Sequence, residues 1–496
     1  MARRGWETPY VWTLSFLLHA LGVAATGLMA IDFRRLPEER TYHVTRLIPQ
    51  AECFLEPEVR LRDLSYRNGR AVEEDPDPQP CLEACDTMTR SVRGTVTSSS
   101  LLCFSHAPGV YSLEPRLRRS DGDPGTWPRR HCRSSVPTEG AVIPALRWLA
   151  RHQNADGGWS ADGFSGCCAG VPCFGSGRSE FDEGVTSLAV IAFLGAGYSP
   201  LSKDTYTDPA DPGRPIFFGE TVKKGVKWLM SRQDDEGCLG PRGPKFLYNH
   251  CLATLALCEV YGMTASGPLQ DPSQKAVNFL VAARNPGAGW RYGLRDGETD
   301  TSVTGWALMA LKSAELSELV FPRTAVNEPM AWLNGATQAG SLPAIAYRVA
   351  DDRPSTIPRG PVIFADHPTM TAVGIFCAGL QSRPRALAPG LVGTLMEQPP
   401  VWAPGRVDYH YWYFGTSAIA NHTAVTGPMW TTWASSLKKA LVEHQRTSAH
   451  GCENGSWDPA PDRWGAEGGR VYATAINALT LVNFYRRRSC VFTPSR

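Results

Sequence analysis

The sequence predicts an all-α fold of six outer–inner helix pairs, set behind one transmembrane helix and an irregular N-terminal region. Three observations predict it. A helix ending in Gln and a Gly turn, followed by an aromatic residue, recurs along residues 139–488. A second, apolar helix follows each copy, and these second helices align on a Thr. Before both lies a long run without a charged residue.

That run, YVWTLSFLLHALGVAATGLMA at residues 10–30, is about long enough to cross a hydrocarbon core. It follows Arg3 and Arg4 after a short tail of residues 1–9. A cleaved signal peptide is the rival reading, but GLMA is a poor cleavage site. The expectation is a single-pass anchor with the bulk of the chain outside the cytoplasm, the membrane being its first partner. Residues 31–138 lack periodicity; EEDPDPQP and SDGDPGTWPRR read as linkers, and TRSVRGTVTSSSLLCF as a candidate strand pair. Residues 489–496 form a C-terminal tail.

Between them the repeat is explicit. ALRWLARHQNADGGW recurs as GVKWLMSRQDDEGCL and AVNFLVAARNPGAGW. Trp148, Trp228 or Phe279 begins each copy, Gln153, Gln233 or Arg284 follows, and Trp159, Leu239 or Trp290 closes it. Weaker copies start at Trp332 and Leu441, with a degenerate helix near Leu391. The pattern suits a helix whose terminal Gln caps chain ends, then a Gly turn, then an aromatic folded back as a staple. The inner helices align on Thr186, Thr254, Thr304, Thr371, Thr416 and Thr474, with small residues that permit close packing. Stacked pairs either extend as a solenoid or close into a ring, and six is a number that closes.

These repeats resemble the closed α6/α6 toroid of the terpenoid cyclase and protein prenyltransferase superfamily. More narrowly, DTSVTGWALMALKSAE, LYNHCLATLAL and GSWDP…DRW…GGRVYATAINALTL look like a group of uncharacterised bacterial envelope proteins. Those proteins carry an N-terminal anchor and prenyltransferase/squalene oxidase repeats, and they supply no activity to carry over.

Four positions before each aligned Thr stand Asp182, His250, Asp300, His367, Trp412 and Arg470. One helical turn keeps them on the face that the Thr presents, so they are expected to rim one cavity. Helix caps explain the two Asp cheaply, and His250, His367 and Arg470 less well. Tyr411 and Tyr413 flank Trp412 as candidate lining residues, although aromatics at helical spacing are more often core.

In GETDTSV, the resemblance aligns Asp300 with the alkene-protonating acid of squalene–hopene-type cyclases, with Glu298 as its helper; the family's last acid is replaced by Thr301. Asp300, Glu298 and Asp182 are thus the candidate catalytic residues, and His250, His367, Trp412, Tyr411, Tyr413 and Arg470 the candidate substrate contacts. The chain has no residues left for the second helical barrel of triterpene cyclases. Against protein prenyltransferases, Asp300 and His367 match zinc ligands, but Ser302 stands where a Cys should be. His250 is a substitute ligand from the adjacent repeat. No cofactor is therefore expected, with zinc the lesser alternative.

Fourteen cysteines include no CxxC pair. Cys81 with Cys85 and the group Cys167, Cys168 and Cys173 are read as buried thiols plus a few disulfides, with metal the lesser alternative. A formal net charge of +2 gives no case for nucleic acid. The thioester motif of complement-type toroids, the GxSxG elbow, the P-loop and HExxH are all absent. Two functions remain: an enzyme or degenerate enzyme acting on an isoprenoid or other long apolar substrate in a central cavity, and a non-catalytic envelope scaffold binding a peptide, glycan or partner protein.

Overall fold

The computed structural model describes residues 137–488, apart from 169, 209–210, 339–343, 348–367, 381–389 and 424–426. The anchor at 10–30, the irregular segment before the first helix and His367 lie outside the described residues. Among the described residues no helix is long and apolar enough to cross a membrane.

The described chain is mostly helical. Its outer helices are α1 (Pro137–Arg151), α3 (Phe218–Ser231), α5 (Gly267–Ala283), α7 (Thr324–Gly335), α9 (Leu391–Met396) and α11 (Pro428–Val442). Its inner helices are α2 (Asp182–Gly195), α4 (Phe246–Thr264), α6 (Thr301–Leu316), α8 (Thr369–Gly379), α10 (Tyr409–His422) and α12 (Gly465–Arg488). Inner helices are apolar on nearly every face and are almost wholly buried, as a central layer must be. They touch in sequence order, α2 on α4, α4 on α6, and so on to α10 on α12. The last, α12, packs back on α2 and α1. Two antiparallel hairpins interrupt the helices, β1 (Thr205–Asp208) with β2 (Asp211–Phe217) and β3 (Thr337–Gln338) with β4 (Ala344–Ile345).

The repeat motif makes one joint several times. Trp159, Trp290 and Trp457 are fully buried. Each indole N–H donates 2.8 Å to a carbonyl in the last turn of its own outer helix: Leu149, Leu280 and Leu441. The aligned Thr holds the same Trp from the inner helix. Thr186, Thr304 and Thr474 accept the backbone N–H of those three Trp residues at 2.8, 3.1 and 3.4 Å. Thr371 does so for Ile345 on β4 at 3.1 Å. The recurrent Thr is thus the inner helix's grip on the staple.

The Gln reaches further than a cap. The amide of Gln153 donates to Gly157 O in its own turn and, at 2.9 Å, to Thr221 O on the next outer helix. Gln233 repeats this to Gly237 and Pro272. Gln445, in the last repeat, donates to Gly455 O and, at 2.7 Å, to Ala141 O on the first helix. The turn comes so close that a Cβ on Gly157 (φ 102°) would lie 2.6 Å from Lys224 O. On Gly237 and Gly455 it would press harder still on Lys275 O and Pro144 O, so glycine is required by contact as well as by backbone angle.

Trp159→Ala should cost about 3–5 kcal/mol, since it empties a fully enclosed site and removes the indole donor from Leu149 O. Denaturant unfolding measures this; an unchanged midpoint would show that the indole does not hold the repeat together.

Candidate functional site

Polar residues stand at or near the starts of the inner helices, and these ends are wired together. Tyr248 on α4 donates 2.7 Å to Ser302 Oγ on α6. Thr369 on α8 donates 3.1 Å to Asp408, the residue that caps α10 through Tyr411 N. Asp462 accepts the backbone N–H of Tyr409 at 2.7 Å and that of Trp464 at 3.0 Å, joining α10 to the start of α12. Lys245 before α4 pairs with Glu467 on α12 at 2.9 Å. Charge and hydroxyl groups therefore gather at one end of the inner layer.

Asp300 is the most unusual of them. It is the N-cap of α6, and its Oδ1 accepts Val303 N at 2.8 Å. The residue is fully buried, yet Oδ2 has no hydrogen-bond partner among the described residues. The nearest cation, Arg291, stands 3.9 Å from it and is pulled toward Glu298, with which it also pairs. Burial outweighs the cap bonds and Arg291, and pushes the Asp300 carboxyl up to about 7. Around it lie Tyr248, Tyr292 and Tyr347, the last two sharing a 2.5 Å hydroxyl contact. Burial also raises the phenols of Tyr248 and Tyr347 above their ordinary range, and the Asp300 charge adds to this. A second carboxyl pair, Asp408 and Asp462, sits at the α10–α12 end; burial, then Asp408, holds Asp462 well above the carboxylate range. Arg463 feels both of those acids and Tyr347.

The residues read from the four-residue register do not sit at one depth. Asp182 and Asp300 stand at helix starts, but α4 and α10 begin a turn earlier, at Phe246 and Tyr409. His250 and Trp412 are consequently one turn inside their helices. His250 is enclosed: Nδ1 accepts Leu239 N at 3.1 Å, and Nε2 meets Ala276 O at 3.1 Å and Thr254 at 3.3 Å. It thus does for Leu239 what Thr does for the Trp staples. Both its nitrogens are committed, so it is not free to join Asp300 on a metal. Asp182 accepts Ala161 N at 2.8 Å, and burial lifts it to about 6. Arg470 bonds Phe174 O and Ser456 and pairs with Glu453 at 2.9 Å.

Trp412 is buried between Trp402 and Tyr409. Tyr411 points outward to Gln398 O on the α9 side, at 2.9 Å. Tyr413 lies flat on Trp306 of α6, 5.6 Å between ring centres. Thr301 and Ser302 are engaged too, Thr301 donating to Ala346 O and Ser302 accepting from Tyr248. Of the described sequence candidates, the structure therefore brings Asp300 and Glu298 together through Arg291, and engages the others in separate joints.

No family profile matches the chain. It is 26% identical over 198 residues to dammaradiene synthase from Dryopteris crassirhizoma, a match to 35% of this chain that spans 27% of that enzyme's length. The chain is thus similar to terpenoid cyclases. Among solved structures, the type II terpene cyclase MstE from Scytonema is similar over 72% of this chain and 99% of its own, at 14% identity and TM-score 0.44. A variant of MstE in complex with its substrate geranylgeranyl dihydroxybenzoate covers 70% of this chain and 97% of its own, at 14% identity and TM-score 0.42.

Because Asp300 is raised from 3.8 to about 7, the folded chain keeps a proton that the unfolded chain has released across that window. Its ionisation therefore lowers stability as pH rises from 3.8 to about 7. Asp182 adds a similar fall up to about 6, while His250, lowered to about 4, contributes the opposite slope up to 6.5. Asp300→Asn keeps the cap and removes the titration. The melting temperature of this variant should climb relative to wild type between pH 4 and 7; a constant difference would mean Asp300 ionises as an ordinary surface acid does.

Proposed function

We propose that the chain is a membrane-anchored, closed α6/α6 toroid of the terpenoid-cyclase type that binds an isoprenoid or similar long apolar ligand. In this reading the polar end of the inner layer receives the ligand's polar terminus. The supporting observation is Asp300, buried, raised to about 7 and with Oδ2 unpartnered among the described residues. Such a carboxyl is about half neutral at pH 7, and the neutral form can donate a hydrogen bond to an oxygen that enters the site.

The same observation argues against alkene protonation. An alkene is a very weak base, and its protonation demands a strong acid. Burial here makes Asp300 a weaker acid, Thr301 occupies the place of the missing carboxyl, and Glu298 is paired with Arg291 rather than with Asp300. Binding is thus the better-supported half of the resemblance, and cyclisation the lesser. The scaffold reading draws on Asp182, His250 and Arg470, whose polar atoms are used within the framework.

Geranylgeraniol supplies a direct test. Wild-type protein should bind it, with affinity falling as pH rises past about 7, and Asp300→Asn should bind with no such pH dependence. Absence of binding by either protein at any pH would leave the scaffold reading. For the anchor, intact-mass analysis of the membrane fraction should find residues 10–30 retained; a mature N-terminus near Ile31 in a soluble fraction would refute it.

A further inference from the structure

A second chemical cluster lies away from Asp300, where the first repeat meets the last. His152 follows α1, Cys168 and Cys173 lie on the loop leading to α2, and Cys452 lies in the turn Ser448–Glu453 before α12. The ring nitrogen Nε2 of His152 stands 3.4 Å from Cys168 Sγ, 3.5 Å from Cys173 Sγ and 3.4 Å from Cys452 Sγ. All four atoms fall within 4.8 Å of one another.

Hydrogen bonding does not account for this convergence. Nδ1 of His152 lies 2.8 Å from Trp148 O, a carbonyl that can only accept, so Nδ1 carries the proton. Nε2 then has one lone pair, which can receive one thiol and not three. A disulfide between any two of the cysteines would leave the third thiol facing an enclosed imidazole. A metal satisfies all four atoms at once. In a tetrahedral site with zinc–sulfur near 2.3 Å and zinc–nitrogen near 2.0–2.1 Å, the nitrogen–sulfur edges are about 3.6 Å. The three observed edges lie close to that value. The Nδ1–H···O=C bond is the usual outer support of a zinc-bound His, and Cys173 N donates 3.2 Å to Cys168 Sγ. Trp148 stacks on His152 at 4.1 Å, and buried Phe164 closes the apolar wall. Cys167, next to Cys168 in sequence, turns instead toward Gln153 O and Asn154.

We infer that His152, Cys168, Cys173 and Cys452 form a four-ligand zinc site that clasps the last repeat to the first. Three thiolates and one imidazole leave no open position, so the site is structural rather than catalytic. Binding releases the thiol protons as the sulfurs become thiolates, and no oxidation is involved.

Full-length protein purified under reducing conditions should contain about one zinc per chain by mass-spectrometric metal analysis. Cobalt(II) exchanged into wild-type protein should give the intense sulfur-to-cobalt charge-transfer and tetrahedral ligand-field bands of a Cys3His site. Cys167→Ser should retain the metal, whereas Cys452→Ser and Cys173→Ser should lose it. Chelation should lower the wild-type melting temperature. The proposal is overturned by wild-type protein that lacks stoichiometric metal and takes up no cobalt into a thiolate site. Peptide mapping that joins two of the three cysteines in a disulfide would overturn it as well, as would unchanged zinc in both serine variants.

Discussion

A two-headed side-chain amide carries the packing at three joints of this protein. Gln153, Gln233 and Gln445 each close a Gly turn and bind a carbonyl on the next outer helix. That second bond is available because the glycine lets the turn approach the neighbouring backbone, and the approach fixes where the chain re-enters the core. A Trp then fills the space between outer and inner helix, and a Thr receives its N–H. Each element presupposes the one before it. At the third joint Arg284 replaces Gln, again reaching its own turn at Ala288 O and the next outer helix through Glu328. The same mechanical task is met there by charge.

This dependence explains what was legible in the sequence. Gln, Gly, Trp and Thr recur because a repeated joint needs a two-headed donor, a residue without Cβ, a large wedge and a small acceptor. Helix pairing could be read from those four positions. The depth of each inner helix could not, because the Thr marks where the helix meets the staple and not where the helix begins. His250 and Trp412 entered the candidate rim on that assumption, and both belong to helices that start a turn earlier. Asp408, the true cap of α10, stands eight residues before Thr416 and was passed over. Tyr248, Tyr292, Tyr347 and Arg291 were missed for another reason: their approach to Asp300 is a tertiary fact with no periodic signature.

Asp300 shows how one residue can serve a cap and a site together. Its first oxygen is held by the helix start, where backbone N–H groups favour negative charge. Its second oxygen gains no such support among the described residues, and the residue is closed to solvent. Tyr248 and Tyr347 are themselves raised by burial and the Asp300 charge, so ionising one group makes the others harder to ionise. Such a cluster favours neutral, hydrogen-bonding forms, which suits recognition of an uncharged oxygen at the end of an apolar chain better than delivery of a proton to carbon.

The seam between the first and last repeats differs from every other joint in lacking a short covalent link. Its Gln445 bond spans 304 residues, against 68 for the Gln153 bond. By loop-closure scaling this longer span adds only about 1 kcal/mol of entropy, less than a few good hydrogen bonds recover. Entropy alone therefore does not explain the crowd of contacts there. Opening the seam, however, would convert the contact cycle into an open stack with two uncapped ends, exposing the apolar flanks of α2 and α12. The contacts at this seam are of kinds that resist such opening. Arg470, only 1% exposed, binds Glu453, Ser456 and Phe174, and Arg151 donates to Asn454 O. The thiols and His152 converge beside them, joining residues 300 apart in sequence. The chemistry that spacing patterns did not reveal is concentrated where the covalent chain does not hold the fold together.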